Sequence, residues 1–368
     1  MKKIILIFFI ILSTILSAEE YVSGKIIERL GTVKENNLIT DMEFIDGEMR
    51  DIVVYEIKVG KDIINVESPI YNESSLNIDF KKGDRVILMK DTYEDGKIVY
   101  FITDTDKRMN YVILSSIFII LTIILAKIKG IKALLALGIG VTSIFYFFLP
   151  FVIKGYSPIL LSVITALFSS IITIYFITGF NKKGITAVLG SIGGVLCSGI
   201  LSAYFVNSMG LTGFSTVDAV GYVGILGGIK VKELISAGII LGSMGAVMDV
   251  SMSISSSIAE LKETNPNLSP WKTFISGINI GQDIVGTMIN TLILAYIGGS
   301  LFDMLIILIH IKDLPLERLL NFEFIAIEIL KSFSGSIGIL VAIPITAYLS
   351  SYMGTGKNIF NDKKENSK

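Results

Sequence analysis

The chain has 368 residues, 52% of them hydrophobic and 18% charged, with a formal net charge of −1. Soluble proteins carry about 25% charged residues, so the composition excludes an ordinary soluble domain and indicates a chain that lives largely in lipid. One Cys and one His exclude a disulfide scaffold and a metal centre built mainly from those residues.

The small net charge hides an asymmetry. Residues 19–109 hold 13 Lys/Arg and 20 Asp/Glu, and the remainder is correspondingly basic. That division fits a chain placed in two compartments. No cofactor and no nucleic-acid partner is expected.

Residues 1–18, MKKIILIFFIILSTILSA, have a basic start, an apolar run and a small residue before Glu19. This is the pattern of a signal peptide. Leu16 fits poorly three places before the cut, so an uncleaved anchor is the alternative. Residues 19–108 then read as an extracytoplasmic β-rich domain. In DIVVYEIKVGKDIINVESPI two β-branched runs flank Gly60-Lys61, a hairpin break, and DFKKGDRVILMKDTYEDGKIVYFITD repeats the plan with turns at KKGD and EDG. A barrel or sandwich of five or six strands is expected, acting as a lid or as a dock for another envelope protein.

The transmembrane domain occupies 109–354, followed by a polar tail, 355–368. A span needs about 20 apolar residues. Segments 110–126, 132–153, 157–180, 184–206, 233–259 and 324–352 qualify, the last with Pro344 inside. Residues 272–310 are apolar for nearly forty positions, roughly 58 Å as one helix, so the chain must break, at Gly298-Gly299-Ser300. The stretch 219–229 is short and rich in Gly. If it and 301–310 are re-entrant, seven spans result; if both cross, nine. Lys127, Lys129, Lys132, Lys182 and Lys183 fall inside the cell in both counts. Lys230 and Lys232 favour nine, and Lys262 and Lys272 favour seven. The larger count is preferred, because a forty-residue apolar run folds back readily across the membrane. The fold class is therefore a mainly α, polytopic helical bundle of 7–9 spans behind a small β domain. The C-terminus is expected in the cytoplasm.

Within the fourth span Gly190, Gly194, Ser198 and Ser202 recur every four residues, a small-xxx-small stripe for close helix packing. A faint echo links KELISAGIILGSMGAVM with KTFISGINIGQDIVGTM, as in transporters built from repeats.

The chemistry-bearing residues lie later. An ionisable side chain in a bilayer costs a few kcal/mol or more, yet GAVMDVSMSISSSIAE (245–260) carries one inside an apolar run. Asp249, Ser253, Ser256 and Glu260, spaced 4, 3 and 4, share a helix face, while Ser251, Ser255 and Ser257 fall elsewhere and pack. Asn279, Asp283, Gly286, Thr287 and Asn290 form a second stripe, with Gln282 and Thr291 beside it. The two stripes are expected to face each other across a narrow gap. Glu328 begins the last helix, and Lys331 three residues later can pair with it. The candidate substrate or ion ligands are Asp249, Ser253, Ser256, Asn279, Gln282, Asp283, Thr287, Asn290 and Glu328. The structural alternative is that Ser, Thr and Asn bind helices together; it accounts for the serines better than for the two aspartates. No P-loop G-x-x-x-x-G-K-[ST] is present, so transport would be secondary or driven by a second membrane subunit. An aspartyl dyad of Asp249 and Asp283 is a weaker reading, since neither sits in a GxGD motif.

The spans GIILGSMGAVMDVSMSISSSIAEL, NPNLSPWKTFISGINIGQDIVGTMINTLILAYIGGSL and FEFIAIEILKSFSGSIGILVAIPITAYLSSYM resemble the YibE/F-like family of bacterial integral membrane proteins, as does GYSPILLSVITALFSSIITIYFITGFNKKGITAVLG. The resemblance extends over about residues 20–352. Where the family often has GRD, this chain has Gly281-Gln282-Asp283, without the Arg; where it often has SLP, this chain has Ser300-Leu301-Phe302. The resemblance implies a multi-pass protein of the cytoplasmic membrane with permease-like roles, and supplies no substrate.

Overall fold

The computed structural model describes residues 21–33, 49–71, 77–92, 98–179, 181–214, 228–310 and 315–353. The signal peptide, the EDG turn, the tail and most of 219–229 lie outside these residues. The chain forms two compact units, dividing between Leu121 and Thr122.

The first unit contains five strands: β1 (Tyr21–Val33), β2 (Met49–Val59), β3 (Asp62–Tyr71), β4 (Arg85–Thr92) and β5 (Ile98–Thr105). They form one antiparallel sheet in the order β3-β2-β1-β4-β5. The outer strands β3 and β5 also approach each other, so the sheet rolls into a partly closed barrel. The Gly60-Lys61 hairpin is present: Val59 pairs with Asp62, and Gly60 takes the left-handed φ of 61° that a two-residue turn requires. Alternate residues fill the interior, with Ile26, Val53, Tyr55, Ile57, Val86 and Leu88 almost fully buried. Beyond β5, Asp106 accepts from the Arg108 guanidinium at 2.7 Å through both Nε and Nη2, and from the Ser23 hydroxyl at 3.3 Å. The Arg108 hydrogen bonds hold the Asp106 carboxyl at about 2, below its ordinary 3.8.

The helices are α1 (Arg108–Ser143), a π-helical turn (Ile144–Phe148), α2 (Leu149–Ile153), α3 (Pro158–Thr178), α4 (Lys182–Ser208), α5 (Val231–Thr264), α6 (Pro270–Gly299), α7 (Leu301–His310), α8 (Leu316–Leu320) and α9 (Glu323–Tyr352). Among the described residues six helical segments are long and apolar enough to cross a membrane, the first being Arg108–Ile153 at 46 residues. It would measure roughly 69 Å if straight, more than twice a hydrocarbon core. It breaks at Lys127 (φ 50°, ψ −130°), inside the basic stretch expected to separate the first two spans. A Cβ on Gly130 would lie 2.5 Å from the Thr122 carbonyl oxygen, so the chain turns back sharply there. Each half, about 28 Å and 39 Å, is long enough to span.

The bundle around α4 is built on small residues. Gly190, Gly194, Ser198 and Ser202 are all buried. A Cβ on Gly194 would sit 2.5 Å from the Gly338 carbonyl oxygen and 2.7 Å from Val247; one on Gly338 would sit 2.8 Å from the Gly194 carbonyl oxygen. The backbones of α4 and α9 therefore cross in near-direct contact. Val195, Ile240, Val247, Val250, Ile254, Ile339, Ile343 and Ala347 fill the surrounding core.

These contacts also determine helix direction. Ser198 meets Ser243 while Thr186 meets Ser255, so α4 and α5 are antiparallel. Gly277 meets Ala347 while Gly335 meets Leu292, so α6 and α9 are antiparallel. Ser243 meets Gly335 while Lys262 meets Ser350, so α5 is parallel to α9. The links 209–230 and 300–322 thus each leave from and return to the same end of the bundle. This overturns the preferred nine-span count, in which 219–229 and 301–310 each cross once and α4 would run parallel to α5. Counting α1 as two passes leaves seven among the described residues. The ten residues of α7 cover only about 15 Å, half a hydrocarbon core. The break expected at Gly298-Gly299-Ser300 is present, between α6 and α7.

Candidate functional site

Contrary to expectation, the two polar stripes do not face each other inside the bundle. Asp249, Ser253 and Glu260 on α5 are exposed, and Ser256 is half-buried. On α6, Asn279, Gln282, Asp283, Thr287 and Asn290 are all exposed. No hydrogen bond joins Asp249 to Asp283, and neither carboxylate has a partner among the described residues. The reason lies in the opposite face of α5. Ser243, Val247, Val250, Ser251, Ile254, Ser255 and Ile258 are fully buried there, and this small, β-branched surface fits α4 and α9. Burying it turns Asp249 outward. Ser251 and Ser255 pack inside, as the spacing implied. The Ser255 hydroxyl reaches the Lys183 carbonyl at 2.7 Å and pairs with Thr186 at 2.7 Å, and Thr186 in turn accepts from Ser350 at 2.9 Å. These hydroxyls join three helices and offer no open site.

The two stripes do share a level. Gly242 lies against Tyr296 and Gly277 against Ile258, which aligns Asp249 with Thr287, one turn from both Asp283 and Asn290. An aromatic cluster marks depth at the loop between α5 and α6: Trp271 and Phe274 at 5.5 Å, Phe274 and Tyr348 at 6.4 Å, Tyr348 and Tyr352 at 4.7 Å. Such rings gather at headgroup level. From Trp271, Asp283 is about 18 Å along α6 and Tyr296, toward the far end of the helix, about 38 Å.

A cavity opens at that far end. It has a volume of about 420 Å³, bounded by Tyr296, Ser300, Asp303, Phe324, Glu328 and Lys331, with Ala295, Gly299 and Ile327. The Glu328 carboxylate, 8% exposed, accepts from the Lys331 ammonium at 2.5 Å, an i,i+3 pair on α9. The Tyr296 hydroxyl is buried and has no hydrogen-bond partner among the described residues. Ser300 turns its hydroxyl back to the Tyr296 carbonyl at 2.8 Å, closing the end of α6. The break that follows brings Asp303 to the cavity. Of the sequence-derived candidates, Glu328 alone lines this space. Tyr296, Asp303 and Lys331 were not among them. Their signals were a carboxylate–ammonium pair at helical spacing and a Gly-Gly-Ser helix break.

Around the cavity the same end of the bundle is tied together. The Glu323 carboxylate accepts from the Thr212 N–H at 2.6 Å, the Gly213 N–H at 2.6 Å and the Thr212 hydroxyl, fixing the loop after α4 to the start of α9. Ser157 donates to Glu233, which is also 3.5 Å from the Lys230 ammonium. At the other end the Lys262 ammonium donates to the Ser350 and Ser351 carbonyls, closing α9. Lys182, Lys183, Lys262 and Lys272 thus gather at the end that carries the aromatic cluster.

The YibE/F-like protein family matches residues 114–356. No curated protein and no solved structure matches the chain.

Proposed function

The chain belongs to the YibE/F-like family and its apolar helices make it a multi-pass membrane protein; on that premise we propose that it is a permease whose solute enters the Tyr296–Asp303–Glu328–Lys331 cavity. One observation carries this reading: an ion pair whose carboxylate is buried lines a space within a membrane bundle. Ionisable groups in such a setting are costly, and typically line a path for ions or solutes. A carboxylate beside an ammonium offers complementary charges to a zwitterion. The volume suits a small polar solute.

The cavity end is assigned to the extracytoplasmic side of the cell membrane. Lys182, Lys183, Lys262 and Lys272 crowd the opposite end, as the positive-inside rule asks of a cytoplasmic face. Lys230 and Lys232 run against it. With no P-loop, solute movement is secondary or is driven by a separate subunit. A further role, docking of another envelope protein on the sheet unit, is supported by its exposed Tyr21, Leu30, Ile63 and Ile98.

The test uses purified protein in liposomes loaded with a pH-sensitive dye, with radiolabelled amino acids as the zwitterion panel. Glu328→Gln and Lys331→Gln are expected to cut uptake at least tenfold. Uptake equal to that of the unaltered protein in both variants refutes the cavity as the site.

A further inference from the structure

Two stretches of the bundle repeat one another. The hairpin of α4 and α5 leaves and returns through the link 209–230, and the hairpin of α6 and α9 through 300–322, one residue longer. Ala203, Tyr204 and Ser208 recur 92 positions later as Ala295, Tyr296 and Ser300. Past the longer link the interval is 93, and Gly242, Ser243 and Gly245 recur as Gly335, Ser336 and Gly338. The packing repeats at the same intervals. Thr186 meets Ser255 and Ser198 meets Ser243 in the first hairpin. Gly277 meets Ala347 and Leu292 meets Gly335 in the second, each residue within two of its expected position. The parallel helices α5 and α9 touch at Ser243 and Gly335, so a pseudo-two-fold axis runs between them along the bundle. It exchanges α4 with α6 and α5 with α9. The fainter echo between the starts of α5 and α6 joins helices that this axis does not exchange.

The symmetry fails at one seam. The axis exchanges the α4–α9 crossing with the α6–α5 crossing and carries Gly194 and Gly338 onto Gly286 and Gly245. At the first crossing both glycines are buried, and a Cβ on Gly194 would lie 2.5 Å from the Gly338 carbonyl oxygen. At the second both are exposed, and a Cβ on either would meet nothing within 4 Å. The register is nonetheless kept, since Gly277 meets Ile258 on one side of this gap and Tyr296 meets Gly242 on the other. The tyrosines differ in the same way. Tyr204 of α4 turns outward and is 64% exposed. Tyr296 of α6 turns in, and a Cβ on Gly242 would lie 2.6 Å from its hydroxyl oxygen. That hydroxyl is buried with no hydrogen-bond partner among the described residues, which costs free energy.

We propose that Tyr296 is a wedge that holds α6 off α5, and that the bundle has a second state in which Tyr296 swings outward, as Tyr204 does, and α6 closes on α5 with Gly286 against Gly245. The closed α4–α9 crossing supplies the geometry. There a Cβ on Gly194 also lies 2.9 Å from Ala342 Cβ, and Gly190 meets Thr346. The axis carries these pairs onto Gly286 with Asp249 and Gln282 with Ser253. In the closed state Asp249 sits over Gly286, with the Gln282 and Asn290 amides one turn to either side as donors. Asp283 corresponds to Ser191, which pairs with Ser170 of α3 rather than with α9, so closure does not set the two carboxylates against each other. Two packings of one hairpin, one at each seam, are the bistable element that a switch requires. The Tyr296 ring also lines the cavity, so closure reshapes that space.

The test is disulfide formation within the full chain in native membranes, in a Cys197→Ser background carrying Gly245→Cys and Gly286→Cys. A disulfide needs Cβ atoms about 3.8 Å apart, nearer than a Cβ at either position comes to the other helix in the open seam. Oxidation should remove both thiols from labelling by a maleimide–polyethylene glycol while the chain still runs as a monomer. Tyr296→Ala removes the wedge and should speed the reaction roughly tenfold. Tyr296→Phe keeps the ring and removes only the unpartnered hydroxyl, so it should slow the reaction about tenfold. Tyr204→Ala, at the exposed counterpart, should leave the rate unchanged. Circular dichroism confirms that each variant is folded. Three results would each overturn the proposal: no intramolecular disulfide with or without Tyr296→Ala, acceleration by Tyr204→Ala equal to that by Tyr296→Ala, or acceleration by Tyr296→Phe. None of these readouts depends on transport, so failure here and failure of the cavity reading are separable.

Discussion

Replacing Gly194 by Ala tests the packing that sets the whole bundle. The added Cβ would lie 2.5 Å from the Gly338 carbonyl oxygen, 2.7 Å from Val247 Cγ1 and 2.9 Å from Ala342 Cβ, where ordinary contact begins at 3.4 Å. Two of these three neighbours belong to α9 and none is the far end of a long flexible side chain, so α4 and α9 must separate by roughly 0.9 Å. A gap of that size forfeits a quarter to a half of each dispersion well, which over some 20–30 atom pairs at about 0.15 kcal/mol amounts to about 1–2 kcal/mol. Residual overpacking adds about 1–2 kcal/mol, and the better helix propensity of Ala returns about 1 kcal/mol. The expected net loss is about 2 kcal/mol. Gly245→Ala is the control, since a Cβ there meets nothing within 4 Å; it should be neutral or stabilising by up to about 1 kcal/mol. Detergent-induced unfolding of the purified protein, followed by circular dichroism, measures both. If Gly194→Ala is no less stable than Gly245→Ala, the close crossing of α4 and α9, and with it the outward rotation of Asp249, is refuted.

The other predictions concern the ends of the bundle and the sheet. Lys331→Met should destabilise the protein by about 2 kcal/mol more than the double variant with Glu328→Gln, because the single change strands a buried carboxylate; equal losses in a double-mutant cycle would show that the pair is not coupled. Glu323→Ala removes the acceptor of three hydrogen bonds from Thr212 and Gly213 and should cost about 2 kcal/mol, read as faster amide exchange at those residues. Asp106 is held at about 2, below its ordinary 3.8; a depressed carboxyl adds stability that is complete above about pH 4 and is lost as the pH falls toward 2. The Arg108 side chain is 66% exposed, so screening reduces this contribution to about 1 kcal/mol, and Asp106→Asn should abolish that part of the acid dependence. Deletion of residues 21–105 should leave amino-acid uptake intact in liposomes if the sheet unit serves docking; lost uptake in a folded, membrane-inserted protein would place the unit in the transport path.

Much of the architecture was legible in the sequence because it depends on local rules. Twenty-residue apolar runs, a two-residue Gly60 turn between β-branched segments, a Gly-Gly-Ser break and a four-residue stripe of small side chains each state a constraint that lipid or backbone geometry imposes on its own. Seven spans against nine was not legible. Hydropathy counts apolar residues, whereas direction is set by which helices fit together, and Ser198 meeting Ser243 is a fact about two faces 45 residues apart. The site was half legible. Asp249 and Asp283 stood out as costly residues. The sequence could not say which way they point. That depends on the competition between two faces of one helix, and close packing of Val247, Val250, Ile254 and Ile258 against α4 and α9 outweighed the polar stripe. Tyr296 and Asp303 belong to the cavity only because α9 returns beside the end of α6. Composition and period determined that this is a polytopic membrane protein with carboxylates it must justify. Tertiary packing alone decided which of them enclose a space and which are turned outward, because the rotation of a helix is fixed by its neighbours.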